Sequence, residues 1–193
     1  MRKKRTRGVA AVEFALLTPF WLVLLIGTFT IGTQLVWELQ VTQLVRDLAS
    51  MYARGVDFSL SANQQLVTRL GVGLGLQPTG GNGVIILSTV EYLDSTCNCN
   101  NANSWVFLNR IAFGDTSLRQ SSWGTTCTDL DAEGNVPLTE VTGSACAQVS
   151  SSFTQLGTPS AAANGFKPGQ PAYIAEAYAK TGLGNGDYAY AIF

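Results

Sequence analysis

The chain has 193 residues, 46% of them hydrophobic and only 13% charged, with 12 Lys and Arg against 13 Asp and Glu. Five of those basic residues fall within the first seven positions; without them the count is 7 against 13, a formal charge of −6. An acidic remainder with no basic patch is a poor candidate for binding nucleic acid, and none is expected as a partner. The lack of any histidine removes the usual general base, the Ser-His-Asp arrangement and the helical zinc-protease motif.

Arg2, Lys3, Lys4, Arg5 and Arg7 run into Gly8, and Val9-Ala10-Ala11-Val12-Glu13-Phe14 opens a stretch with no charge from Phe14 through Trp37. As a helix it would cover about 36 Å, enough for a hydrocarbon core of about 30 Å. The basic flank holds the N-terminus in the cytoplasm and sends residues after about 38 outside. Glu13 is the anomaly. A carboxylate at the bilayer centre costs roughly 2.5 to 3.5 kcal/mol on insertion scales, and less near the interface, so such a group calls for a partner. A cleaved secretory signal peptide is one alternative, against which stand the length of the run, Glu13 and the lack of an Ala-x-Ala site. An ordinary uncleaved signal anchor that tolerates Glu13 is the other.

The run Arg7-Gly8-Val9-Ala10-Ala11-Val12-Glu13-Phe14-Ala15-Leu16-Leu17, followed by Pro19, resembles the start of TadE-like proteins over about residues 7 to 51. These are minor pilins or pseudopilins of the bacterial tight-adherence (Flp-type) pilus system. The resemblance implies cleavage between Gly8 and Val9 by a prepilin peptidase, and it matches Glu13-Phe14 to the family's glutamate and following aromatic residue. Val9 would then offer a free ammonium, and a neighbouring subunit's ammonium would neutralise Glu13 in a filament core. The implied partners are other pilins, the pilus assembly platform, the peptidase and membrane lipid. The implied location is the bacterial inner membrane, single pass, with the product entering a surface pilus. A structural subunit or assembly initiator follows, with no enzyme activity and no cofactor. The competing function is a single-pass, signal-anchored surface protein whose outer domain binds an external ligand or partner.

Beyond the apolar run, Trp37, Val41, Leu44, Leu48 and Met51 recur at three- and four-residue spacing among Glu38, Gln40, Gln43, Arg46 and Asp47. The spacing predicts that the helix continues to Gly55, bent at Pro19, with its stripe packed on the outer domain or on a coiled-coil partner. A second helix is expected over Ser61–Leu70, capped by Ser59 or Ser61. Gly71, Gly73, Gly75 and Pro78-Thr79-Gly80-Gly81-Asn82-Gly83 read as a flexible connection, since neither phosphate-loop spacing is met. Strand signals follow at Val84–Leu93, Trp105–Phe113, Ala172–Lys180 and Tyr188–Phe193, the last two forming a hairpin. The segment from Asp115 to Gln170 is polar and reads as long loops. The expected class is α+β, pilin-like: a basic leader (1–8), a membrane segment (9–37), a helical extension (38–55), a short helix with Gly-rich linker (56–83) and a β-rich outer domain (84–193) with a small antiparallel sheet.

Cys97, Cys99, Cys127 and Cys146 all fall in the outer part, and an even count there points to disulfides. A four-cysteine zinc site is the rival, without paired C-x2-C knuckles. In an extended strand Cys97 and Cys99 are badly placed to join one another, so each is expected to reach Cys127 or Cys146 and tether the polar 115–150 region. Asp129, Asp131, Glu133, Gly134 and Glu140 fall at positions 1, 3, 5, 6 and 12 of an EF-hand-type calcium loop; with Pro137 at position 9 and no flanking helix, a solvated acidic loop competes. Glu91, Asp94, Asp115 and Glu176 could form a carboxylate pair only through the fold, and Glu176 is expected to face solvent or pair with Lys180. Trp105, Trp123, Tyr173 and Tyr178 are assigned to core packing, with surface contact as the alternative.

Overall fold

The computed structural model describes residues 7–124, 127–150, 167–180 and 186–193, with only the helical backbone of 7–11. Of the basic leader, residues 1–6 lie outside this set, as do 151–166 of the long polar segment and most of the Gly182–Gly186 turn. The chain divides into two units, Met1–Trp37 and Glu38–Phe193.

Helix α1 runs from Arg7 to Ala53 with Pro19 inside it. In the first unit its large apolar side chains are exposed: Phe14, Leu16, Val23 and Phe29 are each more than 70% exposed. The stretch is long and apolar enough to cross a membrane, with a mean hydropathy of 2.1 and none of that window buried. Thr18, Thr28 and Thr30 donate their hydroxyls to carbonyls three or four residues back, which satisfies these polar groups within the helix itself.

In the second unit the rest of α1 behaves as the periodicity predicts. Val41, Leu44, Val45, Leu48, Ala49 and Tyr52 form a buried stripe, while Arg46 and Asp47 remain exposed. The helix ends where Gly55 adopts φ +84°. Its N–H donates to the Tyr52 carbonyl (2.9 Å) and that of Val56 to Met51 (3.1 Å), the paired bonds of a Schellman cap, in which glycine carries the left-handed turn.

Helix α2, Ser61–Leu70, has the expected bounds, but no side chain caps it; Leu60 occupies the cap position. Ser59 is drawn away instead: its N–H and hydroxyl both donate to Asp57 Oδ1. The glycine-rich segment is also more built than a flexible connection. It forms a 3-10 turn at Val72–Leu74 and a bridge between Leu76 and Gly81, then ties to the sheet through Gly80 N–H to Gly114 O and Gly114 N–H to Pro78 O, both 3.1 Å. Gly81 (φ +87°) takes part because a Cβ there would stand 2.8 Å from the Gly75 carbonyl.

Four strands, β1 (Gly83–Leu93), β2 (Ser104–Gly114), β3 (Ala172–Ala179) and β4 (Asp187–Ile192), make one antiparallel sheet in the order β2-β1-β3-β4. The α+β architecture and the β3–β4 hairpin stand as expected. Alternation gives the sheet two faces. Tyr52 of α1 meets one of them: its hydroxyl donates to Asn109 (2.9 Å) and accepts from Thr89 (2.8 Å), and its ring stands edge-on to Tyr173 at 5.3 Å. The other face carries Ile86, Ser88, Arg110, Ile174 and Glu176 and is covered by later segments, with Trp123, Val136, Val141 and Ala147 in one buried cluster with Val90, Phe107 and Ile174. The polar 115–150 region is therefore no plain loop. It contains a six-residue helix α3, Leu138–Gly143, and lines the outer edge of β2 through Arg110 N–H to Gly134 O (2.7 Å), Val136 N–H to Leu108 O (2.9 Å) and Val149 N–H to Trp105 O (2.9 Å).

Candidate functional site

Two places could carry function: the head of α1 and the domain built on the sheet. Gly8 and Val9 lie in the helical backbone at the start of α1. One turn on, Glu13 and Phe14 are both exposed, Phe14 to 74%. The side chains three and four places after Glu13 are Leu16 and Leu17, so no helix neighbour on that side can pair its charge. An acid at the head of an apolar helix can act by pairing with a cation brought from another molecule, an interaction that gains strength as the surroundings become less polar.

In the sheet domain the structure assembles a charge network that strand composition had hidden. Glu176 neither faces solvent nor pairs with Lys180; it is 2% exposed. Its carboxylate accepts from the Ser121 hydroxyl, the Ser122 N–H (2.9 Å) and the Tyr188 hydroxyl (2.7 Å). Arg110, 5% exposed, donates to Ser88 Oγ (3.0 Å), the Gly124 carbonyl (2.9 Å) and Ser121 Oγ (3.2 Å), with its guanidinium 3.9 Å from the Phe107 ring centre. Ser121 thus bridges the two charged groups. Burial pushes the Arg110 guanidinium down to about 10, opposed by the charge of Glu176, so it stays cationic at neutral pH. Burial raises the Tyr188 hydroxyl well above its ordinary value, and the neighbouring Glu176 charge adds to this. Beside the network lies a cavity of about 350 Å³ between Val84, Ile86 and Ala112 on the sheet and Thr116, Arg119 and Ser121 above it. Arg110, Ser121, Glu176 and Tyr188 are engaged with one another. The arrangement fixes a loop layer on a sheet, and two buried opposite charges bridged by a shared hydroxyl are a structural device.

Three other acids cap turns, whereas Glu91 lies within β1. Asp94 accepts from Thr96 N–H (2.9 Å), Asp115 from Ser117 N–H (3.1 Å), and Asp131 from Glu133 and Asn135 N–H (3.1 and 2.7 Å). Hydrogen bonds, first from a side chain and then from backbone, hold the carboxyls of Asp57, Asp94 and Asp131 below the ordinary range. Asp187 goes the other way: loss of solvent raises it, with the nearby Glu38 charge adding. For the calcium pattern, both Asp131 oxygens take hydrogen bonds from Asn135, and Glu140 belongs to α3. Among the described residues the one group of metal-type donors that converges is Cys127, Glu140 and Cys146, and both of its sulfurs are spent in a disulfide.

All four cysteines are bonded, but not as expected: the pairs are Cys97–Cys99 and Cys127–Cys146. The expectation assumed an extended strand. Instead Ser95–Cys97 form a 3-10 turn and Asn98 takes φ 49°, which brings the Cα atoms of Cys97 and Cys99 to 5.3 Å, within disulfide range. Cys127–Cys146 alone tethers the polar region. By loop-closure entropy it stabilises by about 3 kcal/mol, and the three-residue ring by about half as much. Of the four aromatic residues, Trp105 and Trp123 are buried at 9% and 0% exposure, while Tyr173 and Tyr178 are half-buried.

Residues 8–50 match the family described as TadE-like protein; the sheet domain lies beyond the match. No curated protein matches the chain significantly, and no solved structure does.

Proposed function

We propose, from the premise of a TadE-like N-terminal segment, that this protein is a minor pilin or pseudopilin of a tight-adherence pilus system, acting as a structural subunit or as an initiator of assembly. One observation carries the reading: within the matched residues 8–50, Glu13 stands unpaired in sequence at the head of a helix whose large apolar side chains are exposed from Val12 to Val36. A plain anchor has no use for an acid at that depth, whereas a subunit that must find its neighbour does. The basic leader is removed after Gly8, the ammonium of Val9 is freed, and Glu13 pairs with the N-terminus of an adjacent subunit as the helices pack. The precursor sits in the bacterial inner membrane with its N-terminus in the cytoplasm and residues from about Glu38 outside. Its partners are a prepilin peptidase, other pilins, the assembly platform and lipid. The role is mechanical; it asks no cofactor and no catalytic step of the chain.

Intact mass and N-terminal sequencing of the protein from its native host's membranes test this. A chain beginning at Val9, with processing lost in Gly8→Leu, supports the proposal. A chain that keeps its basic leader sinks it and favours an anchored protein whose outer domain binds an external partner.

A further inference from the structure

The two disulfides sit in opposite surroundings. Cys127 is 5% exposed and Cys146 packs on the same buried cluster, and their bond spans 19 positions. Cys97 and Cys99 lie at the tip between β1 and β2, half-buried, among the exposed Ser95, Thr96, Asn98 and Asn100, and their bond spans 2. Closing so small a ring removes little entropy from the unfolded chain. With the loop cost growing as 1.5R ln n, the tip pair should open at a thiol potential roughly 20-fold less reducing than its partner requires.

Opening the ring also leaves the tip its shape. Thr96 N–H donates to Asp94 (2.9 Å), Asn103 N–H to the Leu93 carbonyl (2.6 Å) and Ala102 N–H to the Cys99 carbonyl (3.2 Å). Asn101, 1% exposed, donates from its amide to the carbonyls of Val141 (2.8 Å) and Ser144 (3.0 Å). These bonds hold the turn without help from sulfur. Every cysteine of the chain is already paired, so any exchange at the tip must involve a thiol from elsewhere.

We propose that Cys97–Cys99 is a thiol–disulfide exchange site for an external thiolate, working while the rest of the domain stays folded. The thiolate attacks one sulfur of the pair. A new S–S bond forms as the old one breaks, and the departing cysteine leaves as a thiolate that takes a proton from water. A second thiol, attacking the mixed bond through its own sulfur, releases the other cysteine. The pair is then reduced and the two external thiols are oxidised to a disulfide.

The test uses the full chain in detergent micelles, equilibrated with graded ratios of reduced to oxidised glutathione or with dithiothreitol, then alkylated and mapped by mass spectrometry. The expected result is modification of Cys97 and Cys99 at ratios roughly 20-fold milder than those that open Cys127–Cys146, with an unchanged circular dichroism spectrum. Glutathione should leave a mixed disulfide on the tip, and the dithiol should leave two free thiols. A variant with both Cys97→Ser and Cys99→Ser should lose all labelling in the mild range. The proposal is overturned if both bonds open together, if Cys127–Cys146 opens first, if labelling persists in the double variant, or if mapping finds either tip cysteine bridged to Cys127 or Cys146.

Discussion

Up to Trp37 helix α1 offers apolar side chains on every side, and none of its most hydropathic window is buried; from Val41 to Tyr52 it offers them along one stripe, and that stripe is covered. One backbone conformation thus carries two side-chain patterns. Over the exposed stretch no face is singled out by sequence. Where water is on one side, period and burial agree. The contrast teaches that the stability of the sheet domain should depend on residues after Glu38 and be nearly blind to those before it, whereas the assembly proposed above should show the reverse dependence.

The largest expected effect separates the two acids. Glu176→Ala leaves Arg110 buried without its counter-charge and should cost about 3 to 5 kcal/mol of domain stability. Glu13→Ala should leave urea unfolding of the full chain in micelles unchanged while abolishing recovery in pili. Equal effects on unfolding would erase the contrast. Next come two leucines. Leu48→Ala should cost about 2 to 5 kcal/mol, because Leu48 is 0% exposed, and Leu25→Ala should stay within about 0.5 kcal/mol by the same unfolding measurement.

Tyr52→Phe removes a hydroxyl that both donates and accepts across the contact of helix and sheet, and should cost about 1 to 2 kcal/mol, with the T-shaped ring pair preserved. The smallest effect is in acid. Asp57, Asp94 and Asp131 have folded carboxyls held below the ordinary 3.8, so their contribution is present above that value and lost as pH falls through their lowered folded values. Asp187 has the opposite sign: its raised carboxyl favours the proton when folded, so Asp187→Asn should stabilise slightly at pH 7. A melting-temperature series between pH 7 and 2.5 on the parent chain and this variant checks both signs.

Much of the fold was legible because periodicity is a strong signal over long elements. The stripe from Val41, the Gly55 stop, the bounds of α2 and all four strands followed from spacing and composition. What stayed hidden depended on residues distant in sequence or on backbone conformations outside strand and helix. Glu176 reads as a surface acid because its partners, Ser121 and Tyr188, come from another loop and another strand. The disulfide pairing turned on Asn98 entering the left-handed region, a local choice that Asn tolerates but that Cys-x-Cys spacing alone does not announce. The glycine-rich segment looked loose because its anchors are backbone carbonyls of β2, which leave no mark in side-chain composition. At the head of α1, Glu13 was visible at once, since a lone charge stands out against an apolar run.

The strand order has a consequence for how the domain comes into being. β1 and β2 are consecutive and pair as soon as both exist, yet the other neighbour of β1 is β3, which begins only at Ala172. At chain growth of about 5 to 20 residues per second, the Val84–Val90 edge, rich in branched apolar side chains, waits several seconds for its mate. During that interval the nascent domain is an open-edged hairpin, the kind of template on which strands of other chains condense. Closure of the sheet by its third strand is thus a late, non-local step, and loop-closure entropy makes such steps slow.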